Sequence, residues 1–562
     1  MEEISRVQEG MSRRGFVAGS ILAASGVVAA GLAGCAPKDP SSMEMATTGE
    51  SADDIPWDIE ADVVVAGSGT AAVSAIACDT MGAGPIVILE KDAAIFGGTS
   101  VTSGGGQALG LHDWYKEEGI EDNLDDQLTY MQAVVDGRVD EEVQRSFLEN
   151  SNDYCHWALD TFGWPKWGLA HRGFGDYYGN YPGSSKSVVG RGSWCPYDAE
   201  GKTVGAAGQW EAYRSYIDGS DNIDLRMGCA LEELIRDGGG KVIGVKASEG
   251  ASSVYIKANN VILGTGGFEH NENDRRFYLP FPIQRTCTTP NNTGDGQRAA
   301  ARIGAQLVYM DNVFGLPFVY AKKDWDSKDF AFDAASADWY GARAMPHSIM
   351  VNHKGQRFCD ECAMYDTILR SFGTYDSGTQ EFVNIPAYWI CDSQCTEQYL
   401  LPGYATLDEL PEYIFKADTL DELAEVMGID AEGLKNEVAT FNAHAANNED
   451  PVWHRNKDNA LMTIAFMGAS MSLTGTAPET VIGTIEKAPF YCCRYVPGTC
   501  STNGGLRING KAQALDVDGE VIEGLYAVGT TACTVADYWT GGATIGQGSV
   551  MSYVAAKSIT NS

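Results

Sequence analysis

Two glycines and an alanine have the spacing that a pyrophosphate-binding turn requires. An apolar, β-branched run at residues 62–66 leads into Gly67-x-Gly69-x-x-Ala72, and an apolar helical pattern follows. Gly67 permits the tight turn, Gly69 lets backbone approach a pyrophosphate at the helix N-terminus, and Ala72 allows close packing of helix on strand. A second apolar run ends at Glu90, the acid expected to hold a ribose hydroxyl. Strand, turn, helix, strand and acid in this order predict a dinucleotide site.

Small and hydroxyl side chains recur in further segments. The loop at 97–106 would let backbone amides face a flat ring system, and the runs at 261–268 and 292–296 join a glycine turn to a strand or a helix. Two more such runs, 524–529 and 538–546, lie near the other end of the chain. We expect both ends of the chain to contribute to one site.

Together these segments resemble the FAD-dependent oxidoreductase 2 superfamily, which contains fumarate reductases and 3-ketosteroid dehydrogenases. The resemblance implies FAD and an α/β fold, with a glutathione-reductase-like, Rossmann-type FAD-binding domain and an inserted α+β capping domain. The family's last glycine motif usually continues with Glu, whereas this chain has Thr530, so a different ribose or pyrophosphate contact is expected there. The residues expected to bind FAD are Gly67, Gly69, Ala72, Glu90, Gly98, Thr99, Ser100, Gly105, Gly106, Gly266, Asp295, Gly529, Ala543, Thr544 and Ile545.

The family's substrate-binding cations are missing from this chain. Fumarate reductases need cationic groups because their substrate is a dicarboxylate. The positions that match those cations and the proton-donating arginine are occupied here by Ser501, by Phe314, by Cys395, and by one of Tyr538, Trp539 or Thr540. A dicarboxylate substrate is therefore disfavoured.

The residues present resemble those of 3-ketosteroid dehydrogenases. Tyr538-x-x-x-Gly542 matches the stretch whose tyrosine hydroxyl and glycine amide hold a ring ketone. The run 348–365 resembles the one that ends in a catalytic tyrosine, with Met364 in place of Pro and Asp360 in place of Asn. The run 176–183 resembles a segment with another active-site tyrosine, placed at Tyr178 in preference to Tyr177. The resemblance implies the catalytic residues Tyr365, Tyr538, Tyr178 and Gly542.

A phenol and a peptide amide stabilise negative charge on a carbonyl oxygen without a buried cation. We expect hydride exchange between the flavin and the carbon β to a carbonyl, with Tyr365 moving the proton at the adjacent carbon. The partner would be a flat, apolar carbonyl compound. The expected apolar walls are Trp539, Phe314, Phe318 and Tyr320.

The leading interpretation is an exported reductase of steroid-like enones or unsaturated lactones, as in the branch of the family that reduces cardiac glycosides. A 3-ketosteroid dehydrogenase working oxidatively and a flavin-carrying electron-transfer subunit are alternatives. A reductase of urocanate or another acrylate is a third, for which Arg343, Arg357 and Arg370 are available. No second GxGxxG unit is present for NAD(P)H, so electrons are expected from an external protein such as a cytochrome, as in anaerobic respiration.

The first residues read as a targeting signal. Arg13 and Arg14 form a twin arginine, the apolar run 21–32 is short for a membrane-spanning helix, and Leu32-Ala33-Gly34-Cys35 resembles a lipobox. We expect twin-arginine export to the cell surface or the outer face of the cytoplasmic membrane. Lipidation of Cys35 and a cleaved peptide both remain open.

Composition narrows the remaining choices. The net charge of −36 makes nucleic acid an improbable partner. The eight histidines show no ligand pattern, so no metal site is expected. The motif Cys359-x-x-Cys362, with Cys391, Cys395, Cys492, Cys493 and Cys500, leaves an iron–sulfur cluster as an alternative to buried reduced thiols.

The predicted organisation has four parts. Residues 1–35 form the signal and residues 36–56 a flexible linker. The FAD-binding domain comprises 57–313 and 498–562, and the capping domain comprises 314–497, with helices at 420–427 and 431–445.

Overall fold

The computed structural model describes residues 55–170, 175–185, 191–332, 341–455, 460, 463–464, 468–534, 537 and 539–561. The strands are β1 (Ile59–Ala66), β2 (Ile86–Glu90), β3 (Trp167–Leu169), β4 (Trp194–Pro196), β5 (Ile223–Met227), β6 (Cys229–Arg236), β7 (Val242–Glu249), β8 (Ser252–Leu263), β9 (Arg285–Thr286), β10 (Leu307–Val308), β11 (Val313–Val319), β12 (Ala331–Phe332), β13 (Ser348–Val351), β14 (Tyr375–Asp376), β15 (Glu381–Phe382), β16 (Ala387–Cys391), β17 (Phe415–Ala417), β18 (Phe490–Thr502), β19 (Gly505–Leu506), β20 (Gln513–Leu515) and β21 (Val521–Ala527).

The α-helices are distributed along the whole of the described part of the chain. They are α1 (Ala72–Thr80), α2 (Trp114–Glu117), α3 (Leu124–Val135), α4 (Glu141–Phe162), α5 (Ala206–Gly219), α6 (Glu272–Tyr278), α7 (Asp295–Ala301), α8 (Asp366–Leu369), α9 (Ser393–Thr396), α10 (Leu420–Met427), α11 (Ala431–Ala445), α12 (Ala469–Met471) and α13 (Ala543–Thr560).

A parallel sheet forms the nucleotide-binding layer. Its order is β21-β8-β1-β2-β5, with Val65 paired to Ile88 on one side and to Ile262 on the other. Every residue of β2 is buried, as expected for a parallel strand that is covered on both faces. The predicted strand–turn–helix–strand unit at the start of the chain is therefore confirmed as β1, α1 and β2.

Both ends of the chain contribute to this layer. The late strand β21 pairs in parallel with β8, and the long helix α13 packs against α1. Strand β20 extends the sheet beyond β21, while β7 pairs antiparallel with β8 and β6 pairs antiparallel with β7. The predicted α/β fold with a Rossmann-type sheet is confirmed.

A second sheet is centred on β18, its longest strand. The order is β12-β9-β18-β16-β13, and β11 and β17 also pair with β18. Helix α10 begins at a capping box formed by Thr419 and Glu422, and its buried face joins α11 in a separate apolar cluster. Both predicted helices of this region are confirmed at their predicted bounds. Strand β18 spans residue 497, where a predicted domain boundary lies, and the domain boundaries stay predictions.

The leader and linker, residues 1–54, lie outside the described residues. Within the parts of the chain that the structure describes, no helix combines the length and the apolar character that crossing a membrane requires.

Candidate active site

The glycine turn after β1 joins the ends of three parallel strands. The Gly67 N–H donates to the Leu89 carbonyl at 2.7 Å, and the Gly264 N–H donates to the Ala66 carbonyl at 2.8 Å. Gly67 has φ +104°, and a Cβ there would overlap the carbonyl oxygen of Gly264. Only glycine adopts this positive φ readily and has no Cβ to overlap Gly264. The turn therefore has no side chain at the point where a phosphate approaches the backbone.

Glu90 lies beside this turn and is nearly fully buried. Its carboxylate accepts hydrogen bonds from the Ser68 N–H at 3.1 Å, from the Ser68 hydroxyl, and from the Asp92 N–H at 2.8 Å. An ionised carboxylate has about four acceptor positions, so about one remains for a ribose hydroxyl. Burial is the main cause that raises the pKa of Glu90, against the hydrogen bonds from Ser68 and Asp92.

A cavity of about 790 Å³ starts at this turn. This volume falls within the range of small-molecule sites. The predicted FAD-binding residues that line the cavity are Gly67, Gly69, Glu90, Gly98, Thr99, Ser100, Gly105, Gly106, Gly266, Asp295, Gly529, Thr544 and Ile545. Ala72 and Ala543 do not line it; they are fully buried at the first positions of α1 and α13, where they pack.

Sequence reasoning missed a polar cluster at this end. Lys91 follows Glu90 directly and pairs with Asp295 at 2.9 Å and with the Thr293 hydroxyl at 2.7 Å. Lys91 lines the cavity and is the only lysine or arginine that does so among the described residues. Because Lys91 directly follows Glu90, the acid predicted to bind the ribose, its position in the sequence could have indicated this cluster.

Backbone also forms the walls next to the start of α13. A Cβ on Gly542 would overlap the Gly106 carbonyl, a Cβ on Gly105 would overlap the Ala206 backbone, and Gly542 has φ +85°. The loop at 105–108 therefore packs directly on this helix start, and Gly542, Thr544 and Ile545 line the cavity. Bare backbone around a long cavity fits a dinucleotide that has a flat ring system.

Tyr365 lies in the wall of the same cavity. It directly precedes α8 with φ +40° and ψ −115°, an uncommon conformation for a residue other than glycine. Its ring centroid lies 4.6 Å from that of Phe314 and 5.6 Å from that of Tyr177, on which it stacks at an interplanar angle of 28°. The predicted proton-moving tyrosine is thus held between two aromatic rings at the cavity.

Tyr177 and Tyr178 have different neighbours. Tyr177 contacts Tyr365, whereas the Tyr178 ring packs against Tyr181 at 5.2 Å and does not line the cavity. The buried Tyr178 hydroxyl has no hydrogen-bond partner among the described residues. Burial, and then the charge of Asp366, raise the pKa of Tyr178 well above its usual value, although Arg370 opposes the shift. Tyr178 is therefore a neutral phenol, and its catalytic role stays a prediction.

Tyr538 lies outside the described residues, and its role also stays a prediction. Its sequence neighbours are both buried. Asp537 accepts hydrogen bonds from Asn312 Nδ2 at 2.6 Å, from the Tyr309 hydroxyl at 3.0 Å, and from Arg370. The Trp539 carbonyl accepts from the Tyr130 hydroxyl at 2.9 Å and from the Tyr177 N–H at 3.1 Å.

The three arginines available for a carboxylate substrate do not line the cavity. Arg343 donates to the carbonyls of Glu361 and Ala363. Arg357 pairs with the Glu361 and Asp450 carboxylates, and Arg370 pairs with Asp537. Each guanidinium is committed to a structural partner.

Only one of the four expected apolar walls lines the cavity. Phe314 does, whereas Phe318, Tyr320 and Trp539 are buried elsewhere. The Phe318 ring lies against Gly498, where a Cβ would overlap it, and the Tyr320 ring packs against Trp325 at 4.9 Å. The aromatic lining residues that sequence reasoning missed are Phe332 and Tyr404.

The cysteines give no support to an iron–sulfur cluster. Every cysteine in the described part of the chain is a free thiol. No group of three or more His, Cys, Asp or Glu residues in that part of the chain could hold a metal ion.

The parallel sheet, the glycine turns and the long cavity define an α/β dinucleotide-binding flavoprotein. Over residues 62–546 the chain matches the FAD binding domain family, to which it belongs. It is therefore an FAD-dependent oxidoreductase, and the prediction of FAD as the cofactor is confirmed.

Several characterised proteins are similar over most of their length. A 4-oxocyclohexanecarboxylate 2-dehydrogenase of Sinomonas cyclohexanicum is 31% identical, over 89% of this chain and 92% of its own. A 3-oxosteroid 1-dehydrogenase of Mycolicibacterium smegmatis is 29% identical, over 89% and 97%. A digoxin reductase of Eggerthella lenta is 25% identical, over 93% and 91%. These relatives confirm the resemblance that the motifs indicated.

One solved structure has the same fold. The 3-ketosteroid delta1-dehydrogenase of Sterolibacterium denitrificans, in complex with 1,4-androstadiene-3,17-dione, superposes with a TM-score of 0.77 at 24% identity. The match covers 89% of this chain and 99% of that chain. At this identity the likeness establishes the architecture alone.

Proposed function

We propose that the protein reduces an activated C=C bond in a neutral, cyclic carbonyl compound such as a steroid-like enone or an unsaturated lactone. The observation that carries this proposal is the composition of the cavity. Tyr365 and Phe314 line it together with the glycine turns, and its lysine is paired at the nucleotide end. With no arginine among the described lining residues, a neutral carbonyl is favoured over a carboxylate.

When bound, FAD supplies the site that exchanges hydride with the carbon β to the carbonyl. Tyr365 moves a proton at the adjacent carbon, and its contacts with Phe314 and Tyr177 fix the orientation of its ring. The Gly542 amide and the Tyr538 hydroxyl bind the carbonyl oxygen and stabilise its developing negative charge. Tyr178 remains neutral and tunes the acidity of Tyr365.

Export by the twin-arginine pathway and electron supply by an external protein complete the proposal. Arg13 and Arg14 support export, and a carrier such as a cytochrome fits the absence of a second GxGxxG unit in the sequence. An exported flavoprotein that receives electrons in this way is suited to reduction in anaerobic respiration.

An oxidative 3-ketosteroid-type dehydrogenase is the second candidate. Its support is that two of the similar proteins are dehydrogenases by name, one of them of a monocyclic oxo acid. The same residues serve either direction of hydride exchange, so only kinetics can assign the direction.

The test uses the purified holoprotein under anaerobic conditions. One arm adds enones, unsaturated lactones and urocanate to the pre-reduced protein and follows flavin reoxidation. The other arm adds the saturated ketones to the oxidised protein and follows flavin bleaching. Fast reoxidation by neutral enones supports the proposal, whereas bleaching without reoxidation assigns the dehydrogenase.

A matched pair of substrates tests the role of charge. A cyclohexenone carboxylate and its methyl ester differ only in the anionic group, and we expect the ester to reoxidise the flavin faster. A preference for the acid, or for urocanate, would contradict a neutral-carbonyl site and assign an acrylate-type reductase.

A further inference from the structure

Two thiols lie side by side in the cavity wall. Strand β9 runs parallel to β18 with Thr286 paired to Thr499, and the Cys287 N–H donates to the Thr499 carbonyl at 3.1 Å. One position further along, Cys287 and Cys500 come next to each other on the two paired strands, and the Cys287 thiol donates to the Thr499 carbonyl at 3.8 Å. Both residues line the cavity.

A second thiol pair provides an internal comparison. Cys391 lies at the end of β16 and Cys395 on α9, four residues later, and burial and then the neighbouring Cys395 thiol raise the pKa of the Cys391 thiol. Both residues are fully buried and neither lines the cavity. The two pairs share the same chemistry and differ in access, because of these four thiols only Cys287 and Cys500 line the cavity.

The cavity pair lies at the tyrosine end. Cys500 precedes Ser501, which pairs with Phe314 across β18 and β11, and Phe314 contacts the Tyr365 ring. Burial, and then the neighbouring Cys287 thiol, raise the pKa of the Cys500 thiol well above its usual value. Cys500 is therefore a neutral thiol, which does not favour reactions that need a free thiolate.

We propose that Cys287 and Cys500 form a dithiol site that chelates a monosubstituted trivalent arsenical. Arsenic(III) that carries one organic group needs two further bonds, which two neighbouring thiols supply. Zinc in a structural site takes four ligands, and the described residues offer no third ligand here.

Binding is a condensation without redox change. Each thiol S–H and each As–OH bond breaks, two As–S bonds form, and the two thiol protons leave in two molecules of water. The bound group occupies the cavity beside Ser501 and Phe314, so it excludes the substrate while the glycine turns keep FAD. The site itself does not rest on the proposed function; only its effect on the substrate does.

The experiment titrates the holoprotein with phenylarsonous acid. Intact mass gives the stoichiometry, the flavin absorbance reports FAD retention, and the loss of titratable thiols gives the affinity. We expect one phenylarsenic group per chain with FAD retained. Either Cys287→Ala or Cys500→Ala is expected to weaken binding by about 10²-fold or more, because chelation raises the effective concentration of the second thiol.

The matched control is Cys391→Ala, which is expected to bind like the wild type. Cys287→Ser and Cys500→Ser repeat the test with a side chain of similar size, in case an alanine variant loses FAD. A wild-type protein that binds no arsenical overturns the proposal. So does tight binding that survives the loss of Cys287 or Cys500, or an adduct that maps to Cys391 and Cys395. Each of these outcomes is measured without adding an enone, so the test does not depend on the proposed function.

Discussion

The two ends of the cavity are built in different ways. At the nucleotide end, backbone forms much of the wall, and the residues that identify this end, from Gly67 to Lys91, follow one another closely in the sequence. At the tyrosine end, side chains from distant segments meet, with Tyr365 held between Tyr177 and Phe314. Cofactor binding at the first end requires glycines that have no side chain. Catalysis at the second end requires a tyrosine hydroxyl that tertiary packing has placed correctly. Substitutions at the two ends should therefore fail in different ways.

The largest expected effect is at the nucleotide end. Gly67→Ala should yield protein without FAD and lower the free energy of unfolding by more than about 3 kcal/mol, because backbone strain of about 1–3 kcal/mol adds to overlap with Gly264. Flavin absorbance per chain and urea unfolding measure both effects. Gly82→Ala is the control, since Gly82 also has a positive φ but nothing lies within 4 Å of its would-be Cβ. That variant should keep FAD and cost about 1–2 kcal/mol. If both variants lost FAD and stability equally, the close approach of Gly67 to Gly264 would not be the cause.

At the tyrosine end, a substitution should abolish catalysis while FAD stays bound. Tyr365→Phe should slow flavin reoxidation by a neutral enone about 10²–10⁴-fold, because the proton-moving hydroxyl is removed. FAD content should match the wild type, as measured by flavin absorbance. Tyr399→Phe, at a buried tyrosine outside the cavity, should change neither quantity. Loss of FAD from the Tyr365 variant would instead show that this tyrosine is structural.

Glu90→Gln should weaken FAD binding about 10–100-fold, because one charged hydrogen bond to a ribose hydroxyl contributes about 1.5–3 kcal/mol. Titration of the apoprotein with FAD measures the affinity. Glu523→Gln, at an exposed carboxylate away from the cavity, should bind FAD like the wild type. Unchanged affinity in the Glu90 variant would mean that Glu90 only organises the loop around Ser68.

The same substitution has a pH signature. Burial raises the folded-state pKa of Glu90 above its usual 4.5, so the folded apoprotein binds this proton more tightly than the unfolded chain. Its contribution to stability is complete below pH 4.5 and is lost as the pH rises through the folded pKa. Glu90→Gln should flatten this part of the stability curve. If the dependence of stability on pH were the same in the variant and the wild type, the raised pKa of Glu90 would be contradicted.

The smallest expected effect concerns the ion pair between Arg370 and Asp537. Arg370→Met leaves the buried Asp537 with Asn312 and Tyr309 as its remaining partners, and should cost about 1–2 kcal/mol because Arg370 is half exposed. FAD should be retained. Arg507→Met, at an arginine of similar exposure whose partner Asp140 is partly exposed instead of buried, should cost less than about 1 kcal/mol. Loss of FAD on removal of Arg370 would show that the two ends are coupled.

The sequence predicted the nucleotide end well because its geometry is local. Gly67, Gly69 and Glu90 lie within one strand–turn–helix–strand unit, whose pattern indicates both the fold and the ligand. The helices at 420–427 and 431–445 were predictable for the same reason, since caps and apolar spacing act within a few residues.

The tyrosine end was less accessible to sequence reasoning. The motif placed the second tyrosine at Tyr178, whereas Tyr177 is the one that stacks on Tyr365. Phe318 and Tyr320 were expected beside Phe314, but their rings pack against Gly498 and Trp325 instead. Arg343, Arg357 and Arg370 looked available until their structural partners were known.

Sequence alone determined the nucleotide-binding unit, the cofactor and the family, because backbone conformation and strand order are encoded in short patterns of small and apolar residues. Tertiary structure decided which side chains share the cavity with that cofactor. A pairing register, a ring contact or a buried ion partner directs a side chain into the cavity or away from it, and each of these depends on a segment far away in the chain.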